Sequence, residues 1–156
     1  MDSRRRVGAA VLALALSGCG SGDRASPEPG RTIETLSGAA VVRRHDAQRV
    51  ALGERVFREH CARCHGDRAQ GAPGWRQRLP DGGFPPPPLN GSGHAWHHPR
   101  DWLAARIRDG GLKMPAWRGR LSEEEIQAVI EWFQSLWPDP VYAAWYQNQE
   151  RARGRP

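Results

Sequence analysis

The chain has 156 residues, carries 23 Lys and Arg against 17 Asp and Glu for a formal charge of +6, and contains 18 Gly and 13 Pro. Leu, Ile, Val and Phe together number only 26, too few for an ordinary core, yet seven Trp argue against disorder. The composition therefore excludes more than one small domain and points to a core completed by something other than side chains; with no internal repeat, solenoids and propellers are excluded as well.

Arg4, Arg5 and Arg6 precede an apolar run from Val7 to Leu16 that ends in Leu16-Ser17-Gly18-Cys19. A basic start, a short apolar stretch and small residues read as a secretory signal peptide over residues 1–18. The run is shorter than the roughly 20 residues that span a bilayer. Leu-Ser-Gly-Cys resembles the bacterial lipobox, which implies cleavage before Cys19 and a lipid on its thiol; the plainer alternative is an ordinary signal peptide with an incidental cysteine. Residues 19–45, with Gly20, Ser21, Gly22, Pro27 and Pro29, read as a flexible tether. Loss of Asp2 and the three arginines leaves a charge of +4. Export and the lack of a recognisable motif speak against nucleic acid as a partner.

Asp46 can cap a helix in which Val50, Gly53, Val56, Phe57 and His60 recur at spacings of three and four. That helix runs into Cys61-Ala62-Arg63-Cys64-His65, the C-x-x-C-H attachment sequence of haem c. Two thiols three residues apart on a helical turn lie about 5 to 6 Å apart and can reach both vinyl groups of one porphyrin edge, with His65 then available to ligate iron. The competing readings are a thioredoxin-like redox pair, which wants a preceding strand, a zinc half-site, which wants two more ligands, and a structural disulfide.

Residues 66–93 hold 13 Gly or Pro in 28 positions and are predicted to be loop. Within them the Pro85–Pro88 run admits a second reading as a polyproline linker or ligand. His94, His97 and His98 make up half of the six histidines and invite three readings: cofactor propionate partners, a copper or zinc site, or partner contact. Pro99-Arg100-Asp101 opens a short helix containing Trp102, Leu103 and Ile107, stopped by Gly110-Gly111. Met114 remains the sole thioether once Met1 leaves with the signal peptide, and Pro115 restricts it to extended backbone. It is the candidate second iron ligand; a gap-filling core methionine is the alternative, and His94, His97 and His98 are the rival ligands. Ser122 and Glu125 form a capping box for a last helix with Ile126, Val129, Ile130, Phe133, Leu136 and Trp137 along one stripe, ended by Pro138. Tyr142, Trp145 and Tyr146 then read as a packing strap or a membrane-proximal surface.

From Asp46 to Trp137 the chain resembles the class I cytochrome c family of bacterial mono-haem type, on its C-x-x-C-H, the Pro87-Pro88-Leu89 segment, Met114-Pro115 and the two flanking helices. The resemblance implies an all-α class I fold, three to four helices wrapped around one covalent haem c with long Gly/Pro-rich loops. It further implies that the Pro87 carbonyl accepts from the His65 ring, that Leu89 packs on the porphyrin, that Gly53 and Phe57 serve a close helix crossing, and that propionates contact the histidine cluster. The expected organisation is a signal peptide at 1–18, a lipidated Cys19 with its tether to 45, a cytochrome domain at 46–137 and an extension at 138–156. The expected function is a His65/Met114-ligated one-electron carrier, itself not an enzyme. It would be monomeric and lipid-anchored at the periplasmic face of a bacterial membrane, exchanging electrons with a donor and an acceptor there. The alternatives are a haem-based sensor or peroxidase-like protein with a labile Met114, and a cytochrome serving a copper or zinc site at His94, His97 and His98.

Overall fold

Residues 30–150 are described in a computed structural model. The signal peptide, Cys19 and the end of the C-terminal extension lie outside them. The described residues comprise β1 (Arg31–Glu34), β2 (Ala40–Arg43), α1 (Ala47–His60), α2 (Ala62–His65), α3 (Arg100–Asp109), α4 (Glu123–Ser135) and α5 (Asp139–Trp145). A single 3-10 turn at Ala95–His97 precedes α3, and a π turn at Tyr146–Glu150 follows α5.

The α1–α4 crossing is the centre of the core. Asp46 accepts from the Arg49 N–H at the head of α1, and the reciprocal Ser122–Glu125 box opens α4. Where they cross, a Cβ on Gly53 would stand 2.0 Å from the Ala128 carbonyl oxygen, so only glycine admits this approach. Beside it Phe57, wholly buried, packs on Trp132 with ring centroids 4.4 Å apart. Ile126, Val129, Ile130 and Phe133 fill the same layer. The last-helix stripe is shorter than its periodicity predicts: α4 closes at Ser135, and Leu136 is turned to solvent while Trp137 is buried.

Two expectations are corrected. The fold is mostly helical but not all-α, and its helices number five among the described residues. The added element is an antiparallel hairpin within the segment read as a flexible tether, pairing Arg31 with Arg43 and Ile33 with Val41. Its inward residues Ile33 and Val41 are buried, and so is Arg43. The Arg43 guanidinium donates from Nε to His45 Nε2 (3.2 Å), from Nη1 to Asp139 (2.7 Å) and from Nη2 to the Gln134 and Ser135 carbonyls (3.0 and 2.9 Å). It thus caps the C-terminal carbonyls of α4, where a cation also meets the negative end of the helix dipole. Arg31 adds a second bond to Asp139 at 2.6 Å.

After Pro138 the chain returns across the core with Tyr142 and Trp145 buried, which makes it a packing strap. Trp137 Nε1 donates to the Leu89 carbonyl (2.7 Å) and Trp145 Nε1 to the His98 carbonyl (3.1 Å), fastening two loop segments.

Candidate cofactor-attachment site

Cys61 closes α1, its N–H donating to the Phe57 carbonyl at 2.8 Å, and its own carbonyl accepts from Cys64 and His65 at 3.1 and 3.0 Å. The motif is therefore one continuous helical turn appended to α1. Both thiols are free, Cys61 half-buried against the core and Cys64 exposed. Burial, reinforced by neighbouring Cys64, pushes the Cys61 thiol up to about 11. A redox-active pair needs the opposite shift, so the thioredoxin-like reading loses its chemistry.

The His65 ring places Nδ1 2.9 Å from the Pro87 carbonyl oxygen. A carbonyl can only accept, so Nδ1 carries the hydrogen and Nε2 keeps its lone pair. Burial lowers the His65 pKa while the Pro87 contact works against it, and the net effect favours the neutral imidazole that a metal requires.

Loop backbone brings Pro87 to this position. Gly71 donates to the His65 carbonyl (2.7 Å), Ala72 to Pro86 (2.9 Å), and Leu89 to Ala69 (2.8 Å), folding the second half of the loop onto the first. The fit leaves no slack: a Cβ at Gly93 would stand 2.3 Å from the Pro88 carbonyl oxygen. Pro88 is buried, which removes the reading of the proline run as a free linker.

Met114 closes a tight turn in which Gly111 and Met114 exchange N–H···O bonds of 2.9 and 3.0 Å. Its side chain is half-buried and packs against the core, as do Cys61 and Leu89. Downstream, the buried Trp117 lies with its ring 5.0 Å from that of His60, tying this loop to the residue before Cys61. Two free thiols on one turn, a neutral imidazole with Nε2 open and a thioether at the core's edge are a donor set that fits a covalently attached haem.

The histidine cluster is interleaved with tryptophans. Each imidazole lies against a tryptophan: His94 stacks on Trp75 (6.1 Å), His97 meets Trp96 edge-on (3.8 Å) and His98 stacks on Trp102 (3.7 Å). His94 and His98 are 5.9 Å apart in edge contact. Among the described residues no group of three or more His, Cys, Asp or Glu could hold a metal ion. Trp75, 19 positions before His94 in the broken loop, gave no sequence signal of this partnership.

Residues 48–133 match the protein family described as "Cytochrome C oxidase, cbb3-type, subunit III". The chain belongs to the cbb3-type cytochrome c oxidase subunit III family. It is 34% identical over 107 residues to the Cbb3-type cytochrome c oxidase subunit CcoP of Azospirillum sp. (strain B510), covering 67% of this chain and 33% of that protein. The subunit FixP of Bradyrhizobium sp. (strain ORS 278) matches equally, with 32% of its length covered. Chloroplastic cytochrome c6 of Chlamydomonas reinhardtii is 34% identical over 103 residues, 62% of this chain and 58% of its own. The chain thus spans about a third of the length of the CcoP and FixP subunits it matches.

These matches correct two expectations. The chain is a relative of the cbb3-type oxidase subunits and not a free-standing mono-haem cytochrome of class I. The expected count of one haem is withdrawn with it, because the match covers only about a third of the CcoP and FixP subunits and one attachment motif there gives no haem count for the whole subunit. Both errors have one cause: a local attachment motif is shared across c-type cytochromes and carries no information about the number of units in the whole protein. Family membership makes the chain an electron-transfer subunit type, not a catalytic one.

Proposed function

We propose that this chain carries electrons within a cbb3-type oxidase through a haem c attached at Cys61 and Cys64, held at the periplasmic face of a bacterial membrane by a lipid on Cys19. The observation that carries the reading is the His65–Pro87 contact at 2.9 Å directly after two free thiols on one helical turn. When bound, the haem supplies one-electron iron chemistry with little ligand rearrangement.

The chain's own residues do the rest. The thiols of Cys61 and Cys64 anchor the group; Pro87 fixes the His65 tautomer and raises its basicity, as outer-sphere partners of ligating histidines do. Met114 would hold the iron through its sulfur, a thioether donor that would raise the potential relative to a nitrogen donor. Leu89, half-buried at the edge of the core, shields the ring from water. His94, His97 and His98, each backed by a tryptophan, would hydrogen-bond the propionates. The electron donor and acceptor are other redox centres of the membrane assembly. No described helix is long and apolar enough to cross a membrane.

Acid–organic extraction tests the reading. Haem is expected to stay with the wild-type polypeptide, and Cys61→Ala or Cys64→Ala to leave at most one thioether. Haem extracted freely from the wild type overturns it.

A further inference from the structure

The backbone from 110 to 112 is held in a conformation that a free chain leaves readily. Gly110, Gly111 and Leu112 have φ of +70°, +135° and +54° in succession, and Leu112 is fully exposed, so its side chain packs on nothing. Something outside the turn has to hold it. In the last turn of α3, Arg106 donates from Nη1 to the Gly110 carbonyl at 3.0 Å. The same Nη1 stands 2.0 Å from where a Cβ on Gly111 would be, so the guanidinium occupies the space a side chain there would fill. Its plane is backed by the Trp102 ring, with Cζ 5.0 Å from the centroid, and Trp102 is itself stacked on His98 at 3.7 Å.

From the guanidinium the path to the thioether is short. Gly110 abuts the Met114 carbonyl oxygen, which is 2.6 Å from its would-be Cβ, and Gly111 exchanges both backbone bonds with Met114. A planar fork with its charge on the carbonyl of a left-handed residue makes a charge-assisted bond, stronger than a neutral one. On the far side, Lys113 pairs with Asp81 and links the turn to the 66–93 loop.

We infer that Arg106 is a positioning residue for Met114: it fixes the shape of the 110–114 turn and thereby how firmly the sulfur is presented to the haem iron. The inference rests on Met114 being the axial ligand of the proposed function. Arg106 touches neither sulfur nor iron in this role and acts through Gly110 and Gly111.

The test compares wild type, Met114→Ala, Arg106→Ala and Arg106→Lys as haem-loaded proteins, by the long-wavelength thioether-to-iron charge-transfer band and by carbon monoxide binding to the ferrous form. Arg106→Ala is expected to weaken the band and to raise carbon monoxide association by about tenfold, the scale of one hydrogen bond to a charged group. Its thermal unfolding, followed by helix signal, should stay near wild type. Arg106→Lys keeps the charge but has no planar fork and is expected to fall well short of wild type. If Met114→Ala keeps the band, the axial assignment fails and the inference with it. If Met114→Ala loses the band while Arg106→Ala keeps wild-type band and carbon monoxide binding, the inference alone fails. It fails too if Arg106→Lys equals wild type, or if the band fades only in step with global unfolding.

Discussion

The two ends of α1 are secured by different physics. At its N-terminal end the hairpin, α4 and α5 meet in a clasp of charge. Arg43 engages His45, Asp139 and two helix carbonyls, while the half-buried Arg100 and the exposed Arg49 each lie 3.5 Å from the buried Glu131. About 20 Å away, by the rise of a helix this long, the C-terminal end carries the cysteine turn. There the structure is set by loop backbone bonds and by glycines with no room for a Cβ. The first end is closed by ion pairs and hydrogen bonds among protein groups, with the buried Gln134 Nε2 left without a partner among the described residues. The second is shaped in advance yet leaves Cys61, Leu89 and Met114 only half-buried, so it gains most from a bound apolar group.

Breaking the clasp should produce the largest effect on stability. Arg43→Met keeps the aliphatic volume but removes the donors for a half-exposed carboxylate, an imidazole and two carbonyls; a loss of about 3 kcal/mol is expected in urea unfolding. The haem spectrum should not change, and a spectral shift would show that the two ends are coupled.

Gly93→Ala probes the other end. A Cβ 2.3 Å from the Pro88 carbonyl must displace the segment that carries Pro87. The expected cost is about 1 to 2 kcal/mol of stability, the usual range for overpacking. The Pro87–His65 contact should be weakened as well, read as a higher reduction potential in the haem-loaded protein, because a less basic imidazole donates less to ferric iron. An unchanged potential with lost stability would mean that Pro87 does not tune His65.

The smallest effect is one of pH. Burial first, and then the Arg43 charge, hold the His45 pKa below its ordinary 6.5. The unfolded chain therefore takes up this proton before the folded one. The stability His45 contributes is complete above about pH 6.5 and declines as pH falls from there toward the lower folded value. His65 and His98 are shifted in the same direction, so His45→Gln is expected to reduce the slope between pH 7.5 and 5.5 without abolishing it. An unaltered slope would remove His45 from the clasp's titration.

What was legible in the sequence was local. Asp46, the Ser122–Glu125 box and C-x-x-C-H each act over three or four residues, and each stands where its spacing predicts. The hairpin escaped because its two four-residue strands carry charge at Arg31, Glu34 and Arg43 and sit among tether-like residues. Its hold on the fold comes through Asp139, 96 positions from Arg43, a relation no window of sequence contains. The surroundings of the histidines were hidden for the converse reason. Their closeness along the chain suggested convergence, whereas the tryptophans that each one meets were the deciding neighbours.

The indole contacts of the C-terminal strap set an order of events. Trp137 and Trp145 bind the carbonyls of Leu89 and His98, residues 48 and 47 positions upstream. In a chain delivered N-terminus first, the thiols of Cys61 and Cys64 and the loop that shapes their surroundings emerge well before their latch. The proline loop can be spread open until Trp137 arrives, and afterwards opening it at Leu89 requires a buried indole to be withdrawn.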